Sequence, residues 1–128
     1  MRFDDDAPFH AHIYHTPEQR VASDSLQARF RDMLGTDLLL VGELHNGPTG
    51  PHPLPQFEVH FLKRSLPKVL PLIEASGLRA LVHPLTDDDL ADHTTLAIWI
   101  GEPLKLDLSV MDPPGMNKGA ARFGKHNF

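Results

Sequence analysis

The chain has 128 residues, the size of a single domain, and 41% of them are hydrophobic. Its net charge of −5 argues against nucleic-acid or anionic-membrane partners, and the absence of cysteine excludes disulfide scaffolds, thiolate metal sites and cysteine nucleophiles. With no apolar run near the ~20 residues of a membrane helix and no secretory h-region at its acidic start, a cytoplasmic protein that does not enter a membrane is expected.

The predicted elements begin with a strand over residues 7–14, in which apolar and polar side chains alternate. A Thr-Pro-x-Gln capping pattern then begins a helix at Thr16, and Gly35 is placed to end it. A second strand is predicted over 37–44. A long loop with four prolines follows, and its restricted backbone should make it stiff.

The second half of the chain repeats this order. A third strand is predicted over 56–63, and Ser65 can cap a second helix, in which an internal proline predicts a kink or a late start. Further strands are predicted over 78–83, 95–100 and 104–110.

The order βαββαβ predicts an α+β, ferredoxin-like fold, in which two helices cover one face of an antiparallel sheet. The first and third strands are then central neighbours, the fourth borders the first, and the last two predicted strands are additions at the C-terminal end. We expect this domain to span residues 1–111 and to be followed by a loosely ordered tail over residues 112–128.

Only one sheet face of this fold has helices to cover it, so strand alternation predicts which side chains lie beneath them. The apolar residues of the first and third strands should face the helices, and their polar neighbours should face the other way. The sequence therefore predicts that the opposite face gathers His10, His12, Tyr14, Glu58, His60 and His83.

The chain contains nine histidines, and imidazole is the commonest metal ligand. His10 and His12, separated by one strand residue, should lie ~7 Å apart on one face and can reach a common ion. Two histidines with a carboxylate are typical of non-haem ferrous oxygenases, and Glu58 is expected within one strand spacing of the pair. The alternatives are a polar open face or a dimer seam for the histidines and a solvated strand charge for Glu58.

Other residues allow two interpretations each. His52 lies between two prolines, which suits either a precisely held functional group or a loop without function. His93 is either a helix C-terminal residue stabilised by the dipole or a proton shuttle. Trp99 is either core or an aromatic wall that stacks on a planar ring. The remaining histidines are expected on the surface: His15, His45 and His126.

Five sequence blocks occur in order between residues 8 and 107. They are His10-Ala11-His12-Ile13-Tyr14, Gly50-Pro51-His52-Pro53, Phe57-Glu58-Val59, Leu81-Val82-His83-Pro84 with Thr86, and Asp92-His93-Thr94 followed by Ala97-Ile98-Trp99-Ile100-Gly101. Together they resemble the DOPA 4,5-dioxygenase family of fungi and bacteria, the small ferredoxin-like type. The resemblance implies extradiol cleavage of a catechol ring by O₂ with a histidine-bound divalent metal, and it does not imply DOPA itself as the substrate.

On this resemblance we expect ferrous iron, Fe(2+), on His10, His12 and either His83 or Glu58. His52 or His93 is expected to transfer protons as a catalytic residue. The expected substrate-binding residues are Tyr14, His60 and Trp99. The expected partners are a small aromatic substrate, O₂ and a second copy of the chain in a homodimer. Two alternatives are a non-catalytic metal- or small-ligand-binding protein and a metal-free dimer whose histidine faces pack together.

Overall fold

One antiparallel sheet with the two long helices on one side forms the body of the computed structural model, which describes residues 6–45, 51–113, 115–117 and 123. The regular elements are β1 (Pro8–Tyr14), α1 (Arg20–Arg31), β2 (Leu40–Val41), β3 (Gln56–Leu62), α2 (Leu66–Ser76), β4 (Ala80–Pro84), α3 (Asp89–His93) and β5 (Ile98–Ile100). The strand order is β2-β3-β1-β4-β5, and every neighbouring pair is antiparallel. The predicted ferredoxin-like arrangement is confirmed, with β1 between β3 and β4.

Both long helices begin with a short 3₁₀ turn. Before α1, the backbone N–H of Thr16 donates to Oε1 of Gln19 at 3.0 Å, as the capping pattern predicted. The helix α2 begins at Leu66, runs through Pro71 and ends at Gly77, whose φ of 77° lies in the left-handed region that favours glycine. The late start considered for α2 is therefore not observed.

Three strand predictions differ from the structure. The strand predicted over 95–100 is regular only at Ile98–Ile100, since residues 94–96 form a turn. The strand predicted over 37–44 is regular only at Leu40–Val41, although the N–H of Gly42 still donates to the carbonyl of Glu58 at 2.7 Å and its carbonyl accepts from Nε2 of Gln27 at 2.8 Å. The strand predicted over 104–110 is wrong: residues 108–110 form a 3₁₀ turn, which the side chain of Asp107 caps by accepting from the N–H of Ser109. Such a local side-chain bond competes with pairing to a sheet.

The core lies between the sheet and the two long helices. The helix-facing side chains of β1, β3 and β4 are apolar and almost fully buried, and they contact apolar residues of α1 and α2. The buried cluster includes Ala11, Ile13, Phe57, Val59, Phe61, Ala80, Val82, Leu26, Phe30, Val69 and Ile73. This confirms the predicted division of the faces. The longest described helix, α1, has 12 residues, and none of the described helices is long and apolar enough to cross a membrane.

The described part of the C-terminal segment contacts α3 and the loop before it. The N–H of Asp112 donates to Asp89 at 2.9 Å, and the N–H of Gly115 donates to the carbonyl of Asp87 at 2.7 Å. Residues 114, 118–122 and 124–128 lie outside the described residues, so the loosely ordered tail and the domain boundary at 111 stay predictions.

Candidate functional site

Three strands bring histidines to the sheet face away from the long helices. His10 on β1 pairs with His60 on β3 and with His83 on β4, while His12 pairs with Glu58 and Leu81. Residues directly opposite each other in an antiparallel pair project from the same face. The register of β1 therefore brings together residues far apart in the sequence, as the alternation predicted.

His10, His12 and His83 form the centre of this face. Their relative exposures are 7%, 6% and 1%, and one ligand atom from each lies within 4.8 Å of the others. Nε2 of His12 and Nε2 of His83 are 3.1 Å apart. Two nitrogens that each bond one ion at ~2.1 Å can be at most ~4.2 Å apart, so this separation fits a shared metal ion.

The other ring nitrogens indicate which tautomers are present. Nδ1 of His12 lies 3.2 Å from Oε1 of Gln56, and Nδ1 of His83 lies 2.8 Å from the carbonyl oxygen of Pro84. Both oxygens only accept hydrogen bonds, so each Nδ1 carries the proton and each Nε2 presents a lone pair. Two lone pairs 3.1 Å apart repel unless a cation lies between them. Metal-binding histidines usually have such a partner on the second nitrogen.

His10 shows a related arrangement. Its Nδ1 is 3.6 Å from Oε2 of Glu58, and its buried Nε2 has no hydrogen-bond partner among the described residues. A buried ring nitrogen without a partner is costly in an apolar setting and is satisfied by a bound ion. The residues present therefore fit a metal at His10, His12 and His83.

Glu58 lies on the other edge of these rings. Its Oε2 is 4.0 Å from Nδ1 of His12 and 3.4 Å from Nε2 of His60, which stacks on His10 with a centroid distance of 3.8 Å. Burial alone would raise the pKa of Glu58, but the hydrogen bond from His60 and the neighbouring imidazoles lower it to about 2. Of the two competing third ligands, His83 joins the central group, and Glu58 groups with His10 and His60.

His52 and His93 lie beside this centre. The ring of His52 is 4.0 Å from that of His12, and the ring of His93 is 4.3 Å from that of His83, measured between centroids. His12, His52 and His93 form a second group whose ligand atoms lie within 4.8 Å of one another. The two residues predicted to transfer protons thus contact two of the predicted metal ligands.

Burial keeps the imidazoles neutral. It lowers the pKa of His10, His52 and His83 well below the ordinary 6.5, and the neighbouring histidines lower each further. Burial likewise lowers the pKa of His12 to about 4, against opposing effects from Glu58 and Gln56. The ring nitrogens are therefore available to a metal ion at neutral pH.

The loop between β4 and α3 is held by a buried carboxylate. Asp92 is 0% exposed and accepts hydrogen bonds from the N–H of Thr86 at 2.9 Å, from its hydroxyl at 2.7 Å and from Nδ2 of Asn117 at 3.0 Å. Burial raises the pKa of Asp92, and the bonds from Thr86 oppose that rise. Because α3 ends at His93 and β4 carries His83, this network holds together the two segments that carry these histidines.

The residues predicted to bind substrate lie at different depths. Trp99 on β5 is half-buried, and its ring stacks near Tyr14 at 6.3 Å and 17°. Tyr14 is only 1% exposed, and His60 is 2% exposed beneath Phe123, whose ring is 5.7 Å away. His15 does not lie on the surface as expected, since it is 4% exposed; its backbone N–H donates to the carbonyl of Pro55.

Of the other two histidines expected on the surface, His45 is exposed and His126 lies outside the described residues. Sequence analysis also missed the supporting roles of Gln56, Asp92, Asn117 and Phe123. Gln56 carried a signal, because alternation places it on the face of Glu58, and Asp92 lies in one of the blocks that carry the resemblance.

Known proteins resemble the chain over most of its length. The profile described as "Dopa 4,5-dioxygenase family" matches residues 9–110. An uncharacterised 21.2 kDa protein of Botryotinia fuckeliana is 36% identical over 125 residues, covering 88% of this chain and 67% of the relative. A DOPA 4,5-dioxygenase of Amanita muscaria is 34% identical over 64 residues, covering 48% of this chain and only 28% of the relative. A crystal structure from Nostoc punctiforme named "putative dioxygenase" has a TM-score of 0.69 and 34% identity, covering 83% of this chain and 91% of that one.

Proposed function

Because the chain belongs to the Dopa 4,5-dioxygenase family, we propose that it is a metal-dependent extradiol dioxygenase that opens the ring of a catechol-type aromatic with O₂. The observation that carries the proposal is the convergence of His10, His12 and His83, with the Nε2 atoms of His12 and His83 3.1 Å apart. A site that holds two lone pairs this close in a buried place is built for a cation.

The ligand roles follow from the ring nitrogens. His10, His12 and His83 hold the metal, and Glu58 acts on the opposite edges of His10 and His12, where it orients the rings. Imidazole ligands suit iron among the first-row metals, and ferrous iron is the proposed cofactor. When bound, the metal brings catechol and O₂ together and lets charge pass between them.

The side chains around the centre supply the remaining chemistry. Nδ1 of His93 lies 2.8 Å from the carbonyl oxygen of Asp89, so its Nε2 presents a lone pair that can accept a hydroxyl proton from the catechol. Trp99, backed by the buried ring of Tyr14, forms an aromatic wall, and a planar substrate ring can stack on its Trp99 side. Burial of the histidines keeps water away from the reacting groups.

The test is metal analysis combined with oxygen uptake on a panel of catechols. The wild-type protein should bind one equivalent of iron per centre and form a yellow ring-opened product. The double variant with His10→Ala and His12→Ala should lose both metal and activity, because it removes two of the three ligands. The matched control is His45→Ala, which removes an exposed histidine outside the three groups. Full ring cleavage by the double variant would refute the ligand assignment.

A non-catalytic metal-binding protein is the second candidate. It is favoured by the small exposure of the three proposed ligands, which is 7% or less, because structural metal sites are closed. This function predicts bound metal in the wild-type protein with neither oxygen uptake nor a ring-opened product. The choice of catechol, the homodimer and the cytoplasmic location stay predictions.

A further inference from the structure

Tyr14 and His52 form a buried pair at the edge of the histidine cluster. Tyr14 is the last residue of β1, is 1% exposed and places its hydroxyl oxygen 2.7 Å from Nδ1 of His52, which is itself 5% exposed. The ring of His52 in turn lies 4.0 Å from that of His12. The pair therefore connects the aromatic wall to the centre of the site.

The direction of the hydrogen bond follows from the need to satisfy the buried hydroxyl. A phenol hydroxyl has one proton to donate, and a buried donor without an acceptor is costly. Among the described residues, Nδ1 of His52 is the acceptor that the structure places within reach of the Tyr14 hydroxyl. If Nδ1 carried a proton instead, the Tyr14 hydroxyl proton would have no acceptor there. Tyr14 is therefore the donor.

The neighbouring histidines have the opposite arrangement. Nδ1 of His12, of His83 and of His93 each faces an oxygen that only accepts, namely that of an amide or a backbone carbonyl. These three rings carry their proton on Nδ1 and present a lone pair on Nε2. His52, which accepts at Nδ1, must carry its proton on Nε2. The Tyr14 hydroxyl thus gives His52 a tautomer different from that of His12, His83 and His93.

We propose that Tyr14 is a positioning residue that fixes His52 as an Nε2–H hydrogen-bond donor to the reacting centre and disfavours its use as a metal ligand. A metal at the group of His12, His52 and His93 would have to displace the Nε2 proton of His52 and reverse its hydrogen bond with Tyr14, so the pair opposes a second metal site there. The Tyr14–His52 hydrogen bond thus gives the two histidines different roles. His93 accepts a proton at Nε2, and His52 donates a hydrogen bond from Nε2.

The catalytic consequence rests on the proposed function. In ring cleavage, His52 donates to a negatively charged oxygen of the substrate, and a pre-oriented donor in a buried site stabilises such charge more than water does. Tyr14 does not touch the substrate and acts through His52. This differs from the substrate-binding role that the resemblance suggested for Tyr14.

The first test measures the tautomer directly and needs no activity. Long-range ¹H–¹⁵N spectra of the full-length, metal-free protein should show His52 protonated at Nε2 and His93 protonated at Nδ1. In Tyr14→Phe, which keeps the ring and its stacking on Trp99, the His52 signals should move toward a mixture of tautomers. The His93 signals should stay unchanged and serve as the internal control.

A wild-type spectrum with His52 protonated at Nδ1 overturns the inference, as does an Nε2–H signal that Tyr14→Phe leaves in place. The wild-type result decides the question even if Tyr14→Phe does not fold. The wild-type spectrum also decides the tautomer of His52 if the protein opens no catechol. Failure of this inference can therefore be distinguished from failure of the proposed function.

The second test is kinetic. Tyr14→Phe should lower kcat about 10- to 100-fold, the range for removing a hydrogen-bond partner behind a site residue, with KM and metal content unchanged. In a His52→Ala background the same substitution should have no further effect on kcat, because Tyr14 acts only through His52. An equal loss in both backgrounds overturns the positioning role.

Discussion

Both faces of the sheet are buried at β1, and they are chemically opposite. Along β1, Ala11 and Ile13 face the helices at 0% exposure, while His10 and His12 face the other way at 7% and 6%. The helix face gains free energy of folding from each apolar side chain that leaves water. The histidine face removes polar rings from water and leaves Nε2 of His10 with no hydrogen-bond partner among the described residues.

This difference indicates where stability and function reside. A strand that needed only to fold would bury apolar residues on both faces or expose the polar ones. Here the polar face is buried, and its ring nitrogens have specific partners. Nδ1 of His12 faces the side chain of Gln56, and Nδ1 of His83 faces the carbonyl of Pro84. Departures from local consistency of this kind are expected at functional sites. Substitution, pH and metal should therefore affect the two faces to different extents.

The largest expected effect is on the helix face. Phe57 is 0% exposed and packs against Phe30, so Phe57→Ala should lower the free energy of unfolding by about 3–5 kcal/mol. His83→Ala on the other face should lower it by less than about 2 kcal/mol in metal-free protein, since it removes one hydrogen bond and a polar ring. Urea unfolding of both variants measures the difference. Equal losses would contradict the comparison, and Phe57→Leu replaces Phe57→Ala if the latter does not fold.

Acid should weaken the histidine face in metal-free protein. Burial lowers the pKa of His12 from 6.5 to about 4, so between these values the unfolded chain takes up a proton that the folded chain does not. Stability is then unaffected above pH 6.5 and falls as the pH decreases below it, by about 1.4 kcal/mol per pH unit for each such ring.

Urea unfolding at several pH values between 6.5 and about 5 measures this slope. His83→Ala should make the slope shallower, because it removes one buried ring whose pKa is lowered by burial. A flat profile in the wild-type protein would show that the rings are not buried in their neutral form.

A smaller effect, on metal affinity, is expected at Glu58 than at the three proposed ligands. Glu58→Gln keeps the shape of the side chain and removes its charge, and the structure places this group beside Nδ1 of His10 and of His12. We expect metal affinity to fall about tenfold while metal still binds, as for other orienting partners of ligands. Complete loss of metal, as in the double variant with His10→Ala and His12→Ala, would make Glu58 a ligand. Competition with a chelator measures the affinity.

Sequence alone predicted the face that carries the site. Alternation in β1 and β3 placed His10, His12, Glu58 and His60 on one side, because the two-residue period of a strand depends only on local geometry. The position of His83 followed from the ferredoxin-like strand order. These predictions succeeded because each depended on one strand or on one rule of topology.

The choice between His83 and Glu58 could not be predicted from the sequence. Both residues pair with β1, and only the ring orientation shows that Nε2 of His12 faces His83 while Glu58 lies near Nδ1. The strand predicted over 104–110 failed for a similar reason, since the side chain of Asp107 bonds locally and outweighs the alternating pattern. Side-chain direction and local capping are set by contacts that periodicity does not record.

The smallest expected effect concerns Asn117, which contacts α3 and the loop between β4 and α3. Nδ2 of Asn117 donates to the carbonyl of Thr86 at 2.6 Å and to Asp92 at 3.0 Å, and so fastens the loop that leads to His93. Asn117→Ala should lower the free energy of unfolding by about 1 kcal/mol, the usual net value of such bonds. It should also raise hydrogen exchange around α3 while leaving β3 and α2 unchanged. Since the helix face has its own apolar core, a loss of protection spread over both faces would show that the two faces are not independent.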